Sequence, residues 1–233
     1  MKRFGKRLLL GVALIGLLAA PATANPAAPS LKPPPPVSSP WLASPDLPLL
    51  LRALDSADAG EWGQVRSLQG RISDPAAQAL VRWRIATNGN AGMGFGELMQ
   101  AAEEFKGWPD SSLILDQLEA AIPRSSLTAD ERIAWLLARG PQTGEGVLAL
   151  ADAYDSQGKR EDMARVIQQA WRSKPMSTGA VLTIQSRYGY LLTAEDHYGR
   201  ADMFLWRGDT TSAKAMSSRL TSDRKDVVDA RIG

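Results

Sequence analysis

The chain contains no cysteine and only one histidine, His197, among its 233 residues. The first absence excludes disulfides and thiolate metal sites. The second leaves zinc without the imidazole and thiolate set that a site requires, so no metal is expected. Strand signals are nearly missing as well. The best apolar, β-favouring run, Val181–Ile184, lies inside a helical pattern. No Gly-x-Ser-x-Gly elbow is present. The glycine-rich stretch Asn88–Gly94 (NGNAGMG) lacks the Lys-Ser/Thr that would hold phosphate and magnesium, and no strand precedes it. It is expected to be an inter-helix loop, and no cofactor is expected.

What is present begins with a leader. Lys2, Arg3, Lys6 and Arg7 precede the uncharged apolar run Leu8–Ala20, whose 13 residues fall short of a membrane span. Ala22-Thr23-Ala24 offers an A-x-A cleavage site, with Ala24 and Asn25 on either side of the cut. Residues 1–24 are therefore expected to be a cleavable signal peptide, and the mature chain to be periplasmic without a stable membrane anchor. Once the leader's four basic residues are gone, 23 of the 27 Lys+Arg face 25 Asp+Glu, a balance of −2. The basic precursor pI then carries no weight, and nucleic acid is not an expected partner. Nine of the 15 prolines fall within Asn25–Pro48, and four are consecutive at Pro33–Pro36. Such a stretch favours extended polyproline II and cannot pack a core. Residues 25–46 are expected to be a disordered linker and 47–233 a folded domain.

From Leu47 onward the pattern is helical. Twelve short helices are expected, over 47–59, 61–72, 75–86, 95–105, 110–122, 133–138, 143–157, 159–172, 177–188, 193–207, 209–220 and 222–232. Start signals are explicit: Asp74 before Pro75, Thr128 with Glu131, and Thr193 with Asp196. Gly60, Gly107, Gly158 and Gly208 recur at intervals of 47, 51 and 50 residues. Gly60, Gly158 and Gly208 share one local text, an apolar helix, Gly, a polar residue, then a helix with small residues early. Recurrent helix pairs, each unable to bury its face alone, predict an all-α, right-handed superhelix (an α-solenoid) of short antiparallel pairs.

Little in this array is expected to do chemistry. At about 100° per residue, His197 shares a helix side with Ala201, Phe204 and Leu205, the edge of an apolar face. It is expected to be a satisfied structural histidine. Tryptophans 41, 62, 83, 108, 135, 171 and 206 are spread along the chain. They are expected to wedge between helices, with stacking on pyranose rings as the alternative. Glu103-Glu104 and Glu161-Asp162 are adjacent in sequence, point to different helix sides, and cannot flank one glycosidic bond.

Four ordered stretches carry a family likeness: LDSADAGEWGQVRSLQGRISDPAAQALVRW; GWPDSSLILDQLEAAI; TADERIAWLL with GPQTGEGVLALADAY; and RYGYLLTAEDHYGRADMFLWRGDTTSAKAM. Together they resemble the N-terminal helical region of bacterial soluble lytic murein transglycosylases. That resemblance implies a superhelix bearing a separate lysozyme-like domain. A Glu, usually followed by Ser, cleaves the MurNAc–GlcNAc bond of peptidoglycan there and leaves a 1,6-anhydro end. The sequence departs from the family here, because none of its nine Glu residues is followed by Ser. No catalytic residue is carried over. Val227, Val228 and Ile232 in the last helix read as lacking a partner, which leads to the expectation that the superhelical domain is C-terminally truncated. Two functions stay open. One is the non-catalytic scaffold portion of a lytic transglycosylase, with peptidoglycan glycan strands and a separate catalytic domain as partners. The other is a stand-alone periplasmic helical-repeat adaptor binding protein or glycan.

Overall fold

The structure, a computed structural model, describes residues 45–233. The expected signal peptide, its cleavage point at Ala24–Asn25, Trp41 and all but the end of the linker lie outside the described residues. Among the described residues the fold consists of twelve α-helices joined by turns and short 3₁₀ segments. They are α1 (Leu47–Asp58), α2 (Trp62–Gln69), α3 (Pro75–Ala86), α4 (Phe95–Glu104), α5 (Ser111–Ala121) and α6 (Ala129–Arg139). Then follow α7 (Gly144–Ser156), α8 (Arg160–Ser173), α9 (Thr178–Arg187), α10 (Ala194–Trp206), α11 (Thr210–Ala215) and α12 (Ser222–Ile232). No strand occurs among the described residues, and Val181–Ile184 lies within α9.

The starts follow their side chains. Asp74 accepts from the amides of Ala76 and Ala77 ahead of Pro75. Thr128 and Glu131 form a reciprocal capping box, as do Thr193 and Asp196. Each cap satisfies amides that the first turn leaves without a partner.

The three turns that share a text also share a backbone. Gly60, Gly158 and Gly208 have φ of 77°, 71° and 75°. The amide after each glycine reaches back to the carbonyl five residues earlier: Glu61 to Ser56, Lys159 to Tyr154, Asp209 to Phe204. That is the Schellman closure, which spends the last carbonyls of the helix. The following residue then takes nearly one conformation, with φ/ψ of −83°/60° at Glu61, −82°/64° at Lys159 and −88°/75° at Asp209. Gly107 also has a positive φ, 82°, but lies in a different turn that passes through left-handed Asp110 (φ 55°).

Helices pack on chain neighbours, as in α1–α2, α4–α5, α7–α8 and α10–α11. They also pack on the helix two places away, as in α1–α3, α5–α7, α7–α9, α8–α10 and α10–α12. Accordingly the core is a chain of clusters. One joins α1 to α3 around Ala53, Val65 and Val81. The next centres on Leu98, Phe105 and Ile114. The third runs from Ile122 through Trp171 to Val228. Met93 touches the first two clusters, and Phe95 and Trp135 touch the last two.

Two expectations are corrected. The helix expected over 209–220 stops at Ala215; Met216 is buried, and Ser217–Arg219 tightens into a 3₁₀ turn. Val228 and Ile232 do not lack a partner. Val228 is fully buried and Ile232 packs on the same cluster, because α10 and α11 cover that side of α12. Only Val227 remains exposed.

Candidate functional site

A groove lined by carboxylates and hydroxyls lies between α5, the start of α7 and the loop before α9. It is open, about 540 Å³, and presents Asp116, Gln117, Gln142, Thr143, Glu145 and Ser177 above an apolar floor of Ala120, Pro175 and Met176. Behind it stands Glu119, 3 % exposed. Its carboxylate accepts from the amides of Gln142 (2.7 Å) and Thr143 (2.7 Å) and from Thr143 Oγ1 (2.6 Å). Thr143 Oγ1 accepts in turn from the amide of Gly146 at 3.0 Å. A buried carboxylate thus sits at the N-terminus of α7, where amide donors and the helix dipole both favour negative charge. All three contacts point into the fold, so Glu119 organises the groove and is not offered to a ligand.

Asp116, three residues earlier on α5, faces the groove. Burial pushes its pKa above the usual carboxylate range, and the charges of Glu119 and then Glu145 push the same way. Glu145 is held by Ser177 Oγ at 2.5 Å. Gln117 and Gln142 turn their amide nitrogens to the carbonyls of Ala86 and Gly140, and Thr143 and Ser177 donate their hydroxyls to Glu119 and Glu145, so the groove offers chiefly carboxylate and amide-oxygen acceptors above methyl and methylene surface. Such a set suits hydroxyl- and amide-bearing ligands. Among the described residues no three carboxylates or imidazoles stand close enough together to hold a metal ion. Sequence reasoning missed this grouping. Asp116 and Glu119 are one turn apart, but Thr143, Glu145 and Ser177 arrive from distant segments.

His197 lies elsewhere, at the α8–α10 seam. It is 8 % exposed, and its ring meets Trp171 edge-on at 5.7 Å and 81°. It is a packing residue, but the expectation that it is satisfied is corrected, since its Nδ1 is buried without a hydrogen-bond partner. Burial lowers its pKa first, and Arg219 and Arg200 lower it further, against the opposing pull of Asp196. Arg200, 3 % exposed, stacks over Trp171 at 4.2 Å and donates to the carbonyls of Trp171 (3.1 Å) and Lys174 (3.4 Å). It thereby closes the end of α8, a cationic cap at a helix C-terminus. Burial lowers the guanidinium pKa to about 10, which still leaves it charged at neutral pH.

The tryptophans divide. Trp171 is fully buried, as a wedge should be. Trp206 is 80 % exposed, so for it the expectation of a wedge is corrected, while the half-exposed Trp108 packs on Phe105 at 5.1 Å and Trp83 at 6.4 Å. Trp206 projects from the solvent side of α10, with the Arg231 guanidinium 5.7 Å from its ring.

Asn88–Gly94 is a loop between α3 and α4. Its Ala91 carbonyl accepts from Arg66 at 3.0 Å, and the Gly94 amide donates to Glu97 Oε2 at 2.9 Å. A carboxylate already occupies that helix N-terminus, which opposes phosphate there. Glu103 and Glu161 are exposed, while Glu104 and Asp162 pair with Arg82 and Arg165 at the surface.

No protein-family model, curated protein or solved structure matches this chain.

Proposed function

We propose that this chain is the helical scaffold of a lytic murein transglycosylase, an exported, periplasmic α-solenoid that engages peptidoglycan glycan strands without cutting them. The observation that carries the proposal is that every resembling segment falls on helices and the turns that join them. The first runs from the second half of α1 through α2 into α3, the second holds α5, the third covers most of α6 and α7, and the last holds α10 and α11. The recurrent Schellman turns and the packing of α1 on α3, α5 on α7, α7 on α9, α8 on α10 and α10 on α12 support stacked pairs, the geometry of a superhelix. The carboxylate and amide-oxygen acceptors above an apolar floor in the α5–α7 groove suit N-acetylated sugars, whose hydroxyls and amide N–H need acceptors. The absence of any Glu-Ser pair supports binding without cleavage.

The purified chain should sediment with isolated sacculi and give no lytic band in a murein zymogram. Failure to sediment above a control protein would remove the glycan-strand proposal, and a clear lytic band would overturn the absence of catalysis.

A second reading, a helical-repeat adaptor for a protein partner, draws on Trp206, Tyr190 and Leu182, exposed at 80 %, 76 % and 59 %. Large exposed apolar side chains of this kind are common at interfaces. Retention of sacculus binding by a chain with all three changed to Ser would separate glycan binding from adaptor binding.

A further inference from the structure

We propose that the cleft between α2, α3 and α4 is a binding site for a small zwitterion of the α-amino-acid type, carrying a carboxylate and an ammonium on neighbouring atoms. This goes beyond the scaffold proposal and does not rest on it. The cleft is about 150 Å³, the scale of a single small amino acid, and Arg66, Arg82, Glu97 and Glu104 all line it. Two guanidiniums and two carboxylates there leave no net charge, so neither an anion nor a cation alone is matched. A ligand bearing both charges is.

The two ion pairs differ. Arg82 grips Glu104 through Nε and Nη2 in a two-pronged contact, which spends both partners. Arg66 Nη1 and Glu97 Oε1 stand 3.6 Å apart, too far for a hydrogen bond. Each is nonetheless fixed from behind. Arg66 Nη2 donates to the Ala91 carbonyl at 3.0 Å, and Glu97 Oε2 accepts from the Gly94 amide at 2.9 Å. Nη1 and Oε1 therefore form an ion pair with no hydrogen bond between them, each placed by an unrelated contact behind it. A group of both charges lying beside the pair can hydrogen-bond to each. A ligand carboxylate would meet Arg66 Nη1 and its ammonium Glu97 Oε1. The ligand's side chain would lie on Ile85, Met93 and Ala101, the apolar floor of the cleft. Gln69 and Gln100 also line the cleft and add amide groups.

The test is a ¹⁵N-resolved NMR titration of the full chain with alanine, alongside acetate and methylamine as single-charge probes. Saturable shifts confined to residues around 66, 93–101 and 82–85 are expected with alanine, at a Kd on the order of millimolar for so small a ligand. Acetate and methylamine are each expected to bind at least tenfold more weakly. E97Q keeps the capping amide bond open to Gln, so the fold is retained, and it should weaken alanine binding at least tenfold. Absence of saturable shifts with alanine would overturn the site. Equal binding of acetate would reduce it to an anion contact and overturn the zwitterion assignment. Unchanged binding in E97Q would do the same.

Discussion

Gly146 lies so close beneath the Glu119 carboxylate that a β-carbon on it would overlap Oε2. The absence of a side chain on α7 is thus what allows a carboxylate from α5 to sit over the start of α7. Replacing Gly146 with Ala should displace the carboxylate from its three donors and leave a buried charge poorly paired. A loss of about 3 kcal/mol or more in urea unfolding is expected. E119Q keeps the volume but sets an amide NH₂ against donors, and should cost about 1–3 kcal/mol. If both variants unfold at the wild-type midpoint, the groove is not organised by Glu119.

At the shared turns the cost of substitution should be a backbone cost alone. A β-carbon on Gly158 or Gly208 would meet nothing within 4 Å. G158A and G208A should therefore each lose about 1–2 kcal/mol, from the left-handed conformation only. Asn, which tolerates that region better, should lose less. Equal stability of the Ala variants would mean that these turns do not constrain the helix pairs.

The two tryptophans of opposite fate give a direct contrast. W171A should cost about 3–5 kcal/mol, because it empties a fully buried site between α8 and α10. W206A should change stability by no more than about 0.5 kcal/mol, as expected for an exposed position. Similar losses for the two would contradict their placement.

His197 sets a pH dependence whose sign follows from its surroundings. Its pKa in the folded chain lies below the ordinary imidazole value of 6.5. The unfolded chain therefore binds a proton that the folded chain refuses, and stability falls as pH drops from about 6.5 toward the folded value. Above that window the group contributes no slope. Chemical denaturation between pH 7.5 and 5, values chosen to bracket an imidazole, should show this slope in the wild type. H197N should remove it. A slope that persists in H197N would place the acid sensitivity on carboxylates instead.

The helices were legible because their signals are local. Asp74-Pro75, Thr128 with Glu131, Thr193 with Asp196, and the turn glycines Gly60, Gly158 and Gly208 all act within one turn of the chain. Glu119 was not legible, because its donors come from 23 and 24 residues further on and no nearby pattern announces them. Trp206 was misjudged for a different reason. Even spacing along the chain says nothing about which side of a helix a residue occupies. The buried side of α10 is set by Asp196, His197, Arg200 and Ala201, and at about 100° per residue Trp206 turns well away from it. The last helix was misjudged because its partners, α10 and α11, precede it in the chain.

Co-sedimentation of the purified chain with sacculi, followed by analysis of released muropeptides, tests the central claim most directly. The account predicts the chain in the pellet, displaced when Asp116 and Glu145 are both changed to Lys, with no 1,6-anhydro product released. A chain that stays in the supernatant, or one that releases anhydro-muropeptides, would contradict it.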